Sequence, residues 1–229
     1  MASRRFGLIP RIKIVVWIAA FTPLLILIDR ILLGGAYTGG PFVDDPVELI
    51  QHWTGRTALI LLFVTLSVTP FRRFSGYNPL IRFRRLTGLF AFFYATLHVF
   101  CYFVFDHRLN LESIMDDVLE HNWVLVGFTA WFLLIPMALT STTGWIRRLG
   151  GKRWNRLHRL IYAVAVLGVF HFLWLVKLEL TLPLIYGGVL VVILAARVGV
   201  KPRAKKRPVP PAASPASSPT VSPPPPSSG

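Results

Sequence analysis

Six predominantly apolar runs dominate this chain, each approaching or reaching the roughly 17–25 residues that carry a helix across a bilayer. They fall at about 12–33, 53–70, 86–105, 123–140, 157–176 and 180–198. Lipid offers backbone N–H and C=O groups no partners, so only helices or closed barrels can span it. Runs of this length predict helices. The expected fold is all-α, a polytopic membrane protein built as a bundle of six transmembrane helices. A mean hydropathy of +0.57 with only 15% charged residues agrees. The first run follows basic residues, as a secretory signal would. However, Asp29 and Arg30 interrupt its exit, no clear small-residue cleavage site follows, and five further runs come after it. It is expected to remain as a span.

A net charge of +15 would suggest nucleic acid in a soluble protein. Its distribution says otherwise. Arg4, Arg5, Arg11 and Lys13 precede the first run, and Arg72, Arg73, Arg82, Arg84 and Arg85 lie around the entry to the third. Arg147, Arg148, Lys152, Arg153, Arg156 and Arg159 lead into the fifth, and a basic stretch at 197–207 follows the sixth. The acidic residues occupy the alternate connections, from Asp29 through Asp106 and Asp117 to Glu179. By the positive-inside rule both termini are cytoplasmic. The charge reports topology, with membrane lipid as its surroundings and no nucleic acid partner.

Three segments follow: a cytoplasmic N-terminus at 1–11, a membrane domain at 12–200 and a tail at 201–229. The tail is Pro/Ser-rich without apolar pattern and is expected to be disordered and cytoplasmic. The longest outer loop, 34–52, is too small to hold a core. No Gly-rich nucleotide loop of the dinucleotide or Walker type occurs. The pairs Gly34-Gly35, Gly39-Gly40 and Gly150-Gly151 are expected in loops, and Gly187-Gly188 in a helix. Any redox chemistry must therefore borrow both donor and acceptor. Cys101 is the only cysteine, which excludes an internal disulfide and a thiolate metal cluster; a small apolar filler is its ordinary role.

The six histidines sort by depth. His52, His107 and His121 lie at span edges or in acidic outer loops, where surface solvation is expected. His98, His158 and His171 belong to the spans, where an unpartnered imidazole is costly. At 1.5 Å per residue, His98 lies about 18 Å in from the cytoplasmic start of the third span. His171 lies about 21 Å in along the fifth, which enters from the same side. Equal depth on two helices is what an axial pair gripping one haem iron requires, and imidazole suits iron. Helix–helix hydrogen bonding in a transporter-like bundle would explain the same pair.

His158 sits about 20 Å nearer the cytoplasm than His171 and is rotated from it by about 140°. It fits the sole protein ligand of a second haem, a hydrogen-bonding group at a quinone or flavin site, or an interfacial histidine. Arg56 suits either a haem propionate or the outer water. Arg84 and Arg85 suit topology, or a carboxylate or phosphate near the inner surface.

IQHWTGRTAL (50–59), IRFRRLTGL…YATLH (81–98), LTSTTG (139–144) and GKRWNRLHRLIY…HFLWLVK (151–177) together resemble the MsrQ/YedZ family. These are haem-binding membrane subunits of bacterial periplasmic methionine-sulfoxide reductase systems, within the wider group of ferric-reductase-like transmembrane domains. The resemblance covers about residues 10–200. It implies a six-helix inner-membrane cytochrome that binds haem b and also FMN. It also implies electron flow from the respiratory quinone pool, by quinol or flavin, to a periplasmic molybdopterin reductase, MsrP, in which catalysis resides. His98, His158 and His171 fall on the family's three haem-associated histidines. The wider group typically carries two histidines on the third helix; this chain has one, which disfavours a second bis-histidine haem. A stand-alone transmembrane ferric or small-molecule reductase is the alternative, and a non-redox transporter or scaffold is the alternative from another class.

Overall fold

The computed structural model describes residues 3–35, 45–176 and 180–199. The expected disordered tail, residues 36–44 of the outer loop between the first two spans, Gly39-Gly40 among them, and Glu179 lie outside the described residues. Eight α-helices follow in order: α1 (Ser3–Leu32), α2 (Pro46–Ser75), α3 (Ile81–Cys101), α4 (Leu111–Glu120), α5 (Asn122–Leu139), α6 (Thr143–Leu157), α7 (Leu160–Leu175) and α8 (Thr181–Gly199). A 3-10 turn, Asn78–Leu80, precedes α3, and a π-helical turn, Tyr102–Asp106, extends it. Among the described residues there is no strand.

The fold is all-α and of membrane type. Among the described residues four stretches are long and apolar enough to cross a bilayer: Pro10–Leu32, Pro46–Ser75, Asn78–Asp106 and Asn122–Leu139. They match the first four expected spans. The fifth reaches that length only when α6 and α7 are joined across a 41° bend, and the apolar part of α8, Thr181–Arg197, is shorter.

Local chemistry sets the boundaries. The Asp45 carboxylate caps α2 by accepting from the N–H groups of Val47 at 2.8 Å and Glu48 at 3.1 Å, with Pro46 in the first turn. Gly76 closes the other end in the left-handed region at φ 69°, its N–H donating to the Arg72 carbonyl. Asn110 caps α4 in the same way as Asp45, after Arg108 and Leu109 take positive φ values of 49° and 60°.

Two connections differ from expectation. Gly150 and Gly151 form no extended loop but a kink at which two helices merge into α6: Gly150 is non-helical at φ 72°, ψ 151°, a conformation open to glycine. The fifth apolar run does not start a continuous helix at Leu157. The chain turns at His158 and Arg159, where the Arg159 N–H bonds the Arg156 carbonyl three residues back, and α7 begins afterwards. His158 therefore caps α6, at the bend where α6 and α7 join into the fifth candidate span.

The core joins α2, α3, α5, α7 and α8. Leu59, Leu62, Phe63 and Leu66 meet Ala91, Ala130, Leu134, Val164, Ala165 and Leu190. Hydrophobic burial does not drive helices together in lipid, so close approach of small residues and internal polar contacts carry more of the packing. Thr65 donates to Thr87 at 2.9 Å across α2 and α3, opposite Gly88. At the end expected to face the cytoplasm, Arg197 of α8 binds the Leu66 carbonyl, the Thr69 hydroxyl and the Tyr162 hydroxyl. α1 is peripheral, held by Tyr94 donating to the Ala20 carbonyl at 2.7 Å and Trp53 to the Pro23 carbonyl at 2.8 Å.

Candidate functional site

His98 stands one turn before the end of α3, and His171 near the end of α7. Their rings meet in the half of the bundle expected to face outward, with centroids 6.2 Å apart and planes at 79°. Each ring is oriented by a backbone carbonyl on a different helix. His98 Nδ1 lies 3.1 Å from the Gln51 carbonyl of α2, and His171 Nδ1 lies 2.8 Å from the Trp123 carbonyl of α5. A carbonyl can only accept, so both Nδ1 atoms carry the proton. Each Nε2 is then a free lone pair, the form in which imidazole binds a metal.

A glycine backs each ring. A methyl group at Gly55 would lie 3.3 Å from Cε1 and Nδ1 of His98; one at Gly127 would lie 2.8 Å from the same atoms of His171. The second distance is inside any tolerable contact, so a side chain at Gly127 would displace the imidazole.

Both rings line a cavity of about 540 Å³, a size common to prosthetic-group pockets. Leu59, Leu62, Val164 and Phe172 form its deeper apolar wall, and Asp45, Glu48, His52, Arg56, Asp106 and Asp117 are among its polar lining. Two imidazoles bound to one metal from opposite sides, at roughly 2 Å each, have centroids roughly 6 Å apart. Among the described residues no cluster of three or more His, Cys, Asp or Glu side chains suits a bare metal ion. A haem brings four equatorial nitrogens of its own and needs only two axial ligands. The lone pairs, the spacing and the apolar cavity all fit that group.

The other expected site residues separate. Arg56 lines the cavity. His158, Arg84 and Arg85 do not; they lie toward the opposite end. The His158 ring stacks on Trp154 at 3.8 Å, its Nδ1 bonds the Trp154 carbonyl at 3.1 Å, and it also lies near the Met137 carbonyl. Its Nε2 is buried with no hydrogen-bond partner among the described residues. Arg84 is half-buried, within electrostatic reach of His158, Arg197 and Arg72, while Arg85 is exposed. His107 is not the solvated histidine expected. Its side chain is 11% exposed, between Ser113 at 2.8 Å and Asp117 at 3.5 Å. The cause is α4, a helix hidden in what reads as an acidic loop.

Sequence reasoning passed over Gln51, Gly55, Trp123 and Gly127. The available signal was a glycine four residues after each orienting carbonyl, in QHWTG and WVLVG. That spacing acquires meaning only once the neighbouring helix is known to present a histidine there.

The sequence profile described as "Ferric reductase like transmembrane component" matches residues 54–169, which include His98 and His158 and end two residues before His171. A heme-binding subunit MsrQ of protein-methionine-sulfoxide reductase from Xanthomonas axonopodis pv. citri is 47% identical over 174 residues. That alignment covers 74% of this chain and 79% of the relative. The chain belongs to the MsrQ family. An MsrQ subunit from Xanthomonas euvesicatoria pv. vesicatoria is 43% identical over 209 residues, covering 88% of this chain and 94% of its own length. One from Herminiimonas arsenicoxydans is 47% identical over 156 residues, with 67% and 72% covered. Membership in the MsrQ family and in the wider ferric-reductase-like group agrees with the fold and with the resemblance read from the motifs.

Proposed function

We propose that this chain is a membrane b-type cytochrome subunit that relays electrons from the respiratory quinone pool across the bacterial inner membrane. The acceptor in this proposal is a periplasmic molybdenum-containing methionine-sulfoxide reductase, MsrP, in which the catalysis resides. The single observation that carries it is the His98–His171 pair: two imidazoles 6.2 Å apart, each with Nδ1 tied to a carbonyl and Nε2 left free. The names of the MsrQ relatives supply the system to which such a subunit belongs.

Haem, when bound, supplies one-electron redox chemistry. The chain's own residues do the rest. His98 and His171 would hold the iron, and the carbonyls of Gln51 and Trp123 keep the proton on Nδ1 so that Nε2 remains the ligand. Leu59, Leu62, Val164 and Phe172 exclude water from the deep wall. Arg56 offers a cation on the cavity lining for a haem carboxylate. His158 serves electron entry on the cytoplasmic side, as a hydrogen-bonding group or a weaker second haem ligand. For FMN, the inner-face groups that suit a phosphate are Arg84 and Arg85.

The test uses membranes containing the full chain. Quinol should develop the reduced low-spin haem band, and adding the periplasmic reductase with methionine sulfoxide should reoxidise it. A chain with no low-spin haem removes the proposal. Haem that quinol reduces but the reductase leaves reduced would favour the stand-alone ferric or small-molecule reductase.

A further inference from the structure

We propose that Gly55 and Gly127 are positioning residues which, each with the carbonyl one turn earlier, lock the two imidazole planes in a crossed orientation. This rests on the haem reading above. The same device occurs twice. His98 bonds the carbonyl of Gln51 and lies on Gly55; His171 bonds the carbonyl of Trp123 and lies on Gly127. Both spacings are four residues, which places glycine and carbonyl on one face, one turn apart. A helical carbonyl points along the axis toward residue i+4, so a second donor reaching it from the side must pass beside the Cβ of that residue. Tyr94 and Trp53 reach the Ala20 and Pro23 carbonyls past Leu24 and Leu27, but here the imidazole ring itself lies over the i+4 position, where a Cβ would crowd or strike it. At Gly127 the missing Cβ would stand 2.8 Å from His171, and at Gly55 3.3 Å from His98.

The contrast with Gly168 separates this arrangement from ordinary close packing. A methyl group there would also meet a neighbour at 3.3 Å, but that neighbour is Leu59 Cδ1, the tip of a flexible side chain. The imidazoles cannot yield in that way without breaking their Nδ1 bonds.

Orientation is what the two cradles add. The ring torsion of histidine is broad and intrinsically soft, so an imidazole without an anchor does not hold one plane. Here each plane is set by a carbonyl on a different helix, α2 for one and α5 for the other, and the resulting angle is 79°. Crossed imidazoles leave the two iron d orbitals that overlap their π systems nearly degenerate, and such a low-spin ferric centre gives a strongly axial EPR signal. Parallel imidazoles split those orbitals and give a rhombic one.

The experiment compares the haem-loaded full chain with Gly127→Ala, Gly55→Ala and Gly88→Ala by EPR and visible spectroscopy, per haem retained. The unmodified chain should give the axial low-spin signal. Gly127→Ala should lose about nine-tenths of it to a high-spin form as His171 swings away, and added free imidazole should restore six-coordination. Gly55→Ala, with its milder contact, should stay low-spin but turn rhombic. Gly88→Ala, whose methyl group would meet Thr65 at an ordinary 3.5 Å away from the cavity, should match the unmodified chain. An axial signal that survives Gly127→Ala overturns the proposal, as does an equal loss in Gly88→Ala. Should Gly127→Ala retain no haem, Gly55→Ala decides, and an unchanged signal there overturns it. An unmodified chain with a rhombic low-spin signal defeats this proposal alone; one with no low-spin haem defeats the haem reading itself.

Discussion

Tyr102 donates its hydroxyl to the Asp117 carboxylate, and that contact ties the π-helical end of α3 to the short helix α4. The same carboxylate holds His121 at 2.9 Å and faces His107 at 3.5 Å. A π turn is uncommon and clusters at functional sites. Here it delivers Tyr102 and Asp106 to the rim of the cavity, where Asp106 accepts from Gln51 Nε2 at 2.8 Å.

Asp117→Ala should release α4 while leaving the membrane helices folded. Losing two or three polar contacts of about 1 kcal/mol each is expected to raise amide exchange across 111–120 on the order of tenfold or more. Exchange in α3 and α7 should hardly move. Unchanged protection in α4 would show that its apolar contacts with α5 hold it without Asp117.

His98→Ala and His171→Ala should each abolish the low-spin spectrum, since a six-coordinate iron needs both axial nitrogens. His107→Ala should keep it, because that ring is engaged by Ser113 and Asp117. A normal low-spin spectrum in His171→Ala would refute the axial pair.

His158→Ala should keep the His98/His171 spectrum while slowing its reduction by quinol. Reduction by a small artificial reductant that reaches the outer face should stay near normal. The comparison is made per haem retained, because a substitution here can also lower yield. Elimination of the low-spin haem as complete as in His171→Ala would make His158 a principal ligand.

Arg197 fastens α8 to α2 and α7 through Leu66, Thr69 and Tyr162, and its ring-face contact with Tyr162 spans 5.0 Å. Arg197→Met should lower stability by on the order of 3 kcal/mol, read as a fall in the thermal midpoint in detergent. Arg197→Lys should recover little, since an ammonium cannot reproduce the forked geometry of the guanidinium. A midpoint unchanged in the Met variant would show the clasp to be dispensable.

A reporter fused at Gly229 should read cytoplasmic, and one inserted at Asn110 periplasmic, as the distribution of basic residues requires. The opposite pattern would reverse the proposed direction of electron flow.

The histidine pair was legible because helical rise converts residue number into depth, and His98 and His171 emerge at one level without any knowledge of packing. The bond partners were not. Gln51 and Trp123 act through their carbonyls, which every residue has, and Gly55 and Gly127 act by lacking a side chain. The bend at His158 was not legible for a different reason: the apolar run continues past it, whereas the break is made by local backbone bonds at Arg156 and Arg159. α4 carried a readable start, since Asn110 accepts from the Glu112 and Ser113 N–H groups, but its acidic composition disguised it as a loop.

Each imidazole is aimed by a helix packed directly against its own: α2 against α3, α5 against α7. The molecule thus consists, for this purpose, of two half-sockets, each complete as a unit of two helices. A half-socket can be correctly shaped before the other exists, so the order in which the helices enter the membrane places little constraint on ligand geometry. What neither half can do alone is close on an iron. The shared core and the Trp131–Thr96 hydrogen bond already hold the two halves side by side, so a haem bound between His98 and His171 would enter a frame assembled beforehand and add one bridge to it.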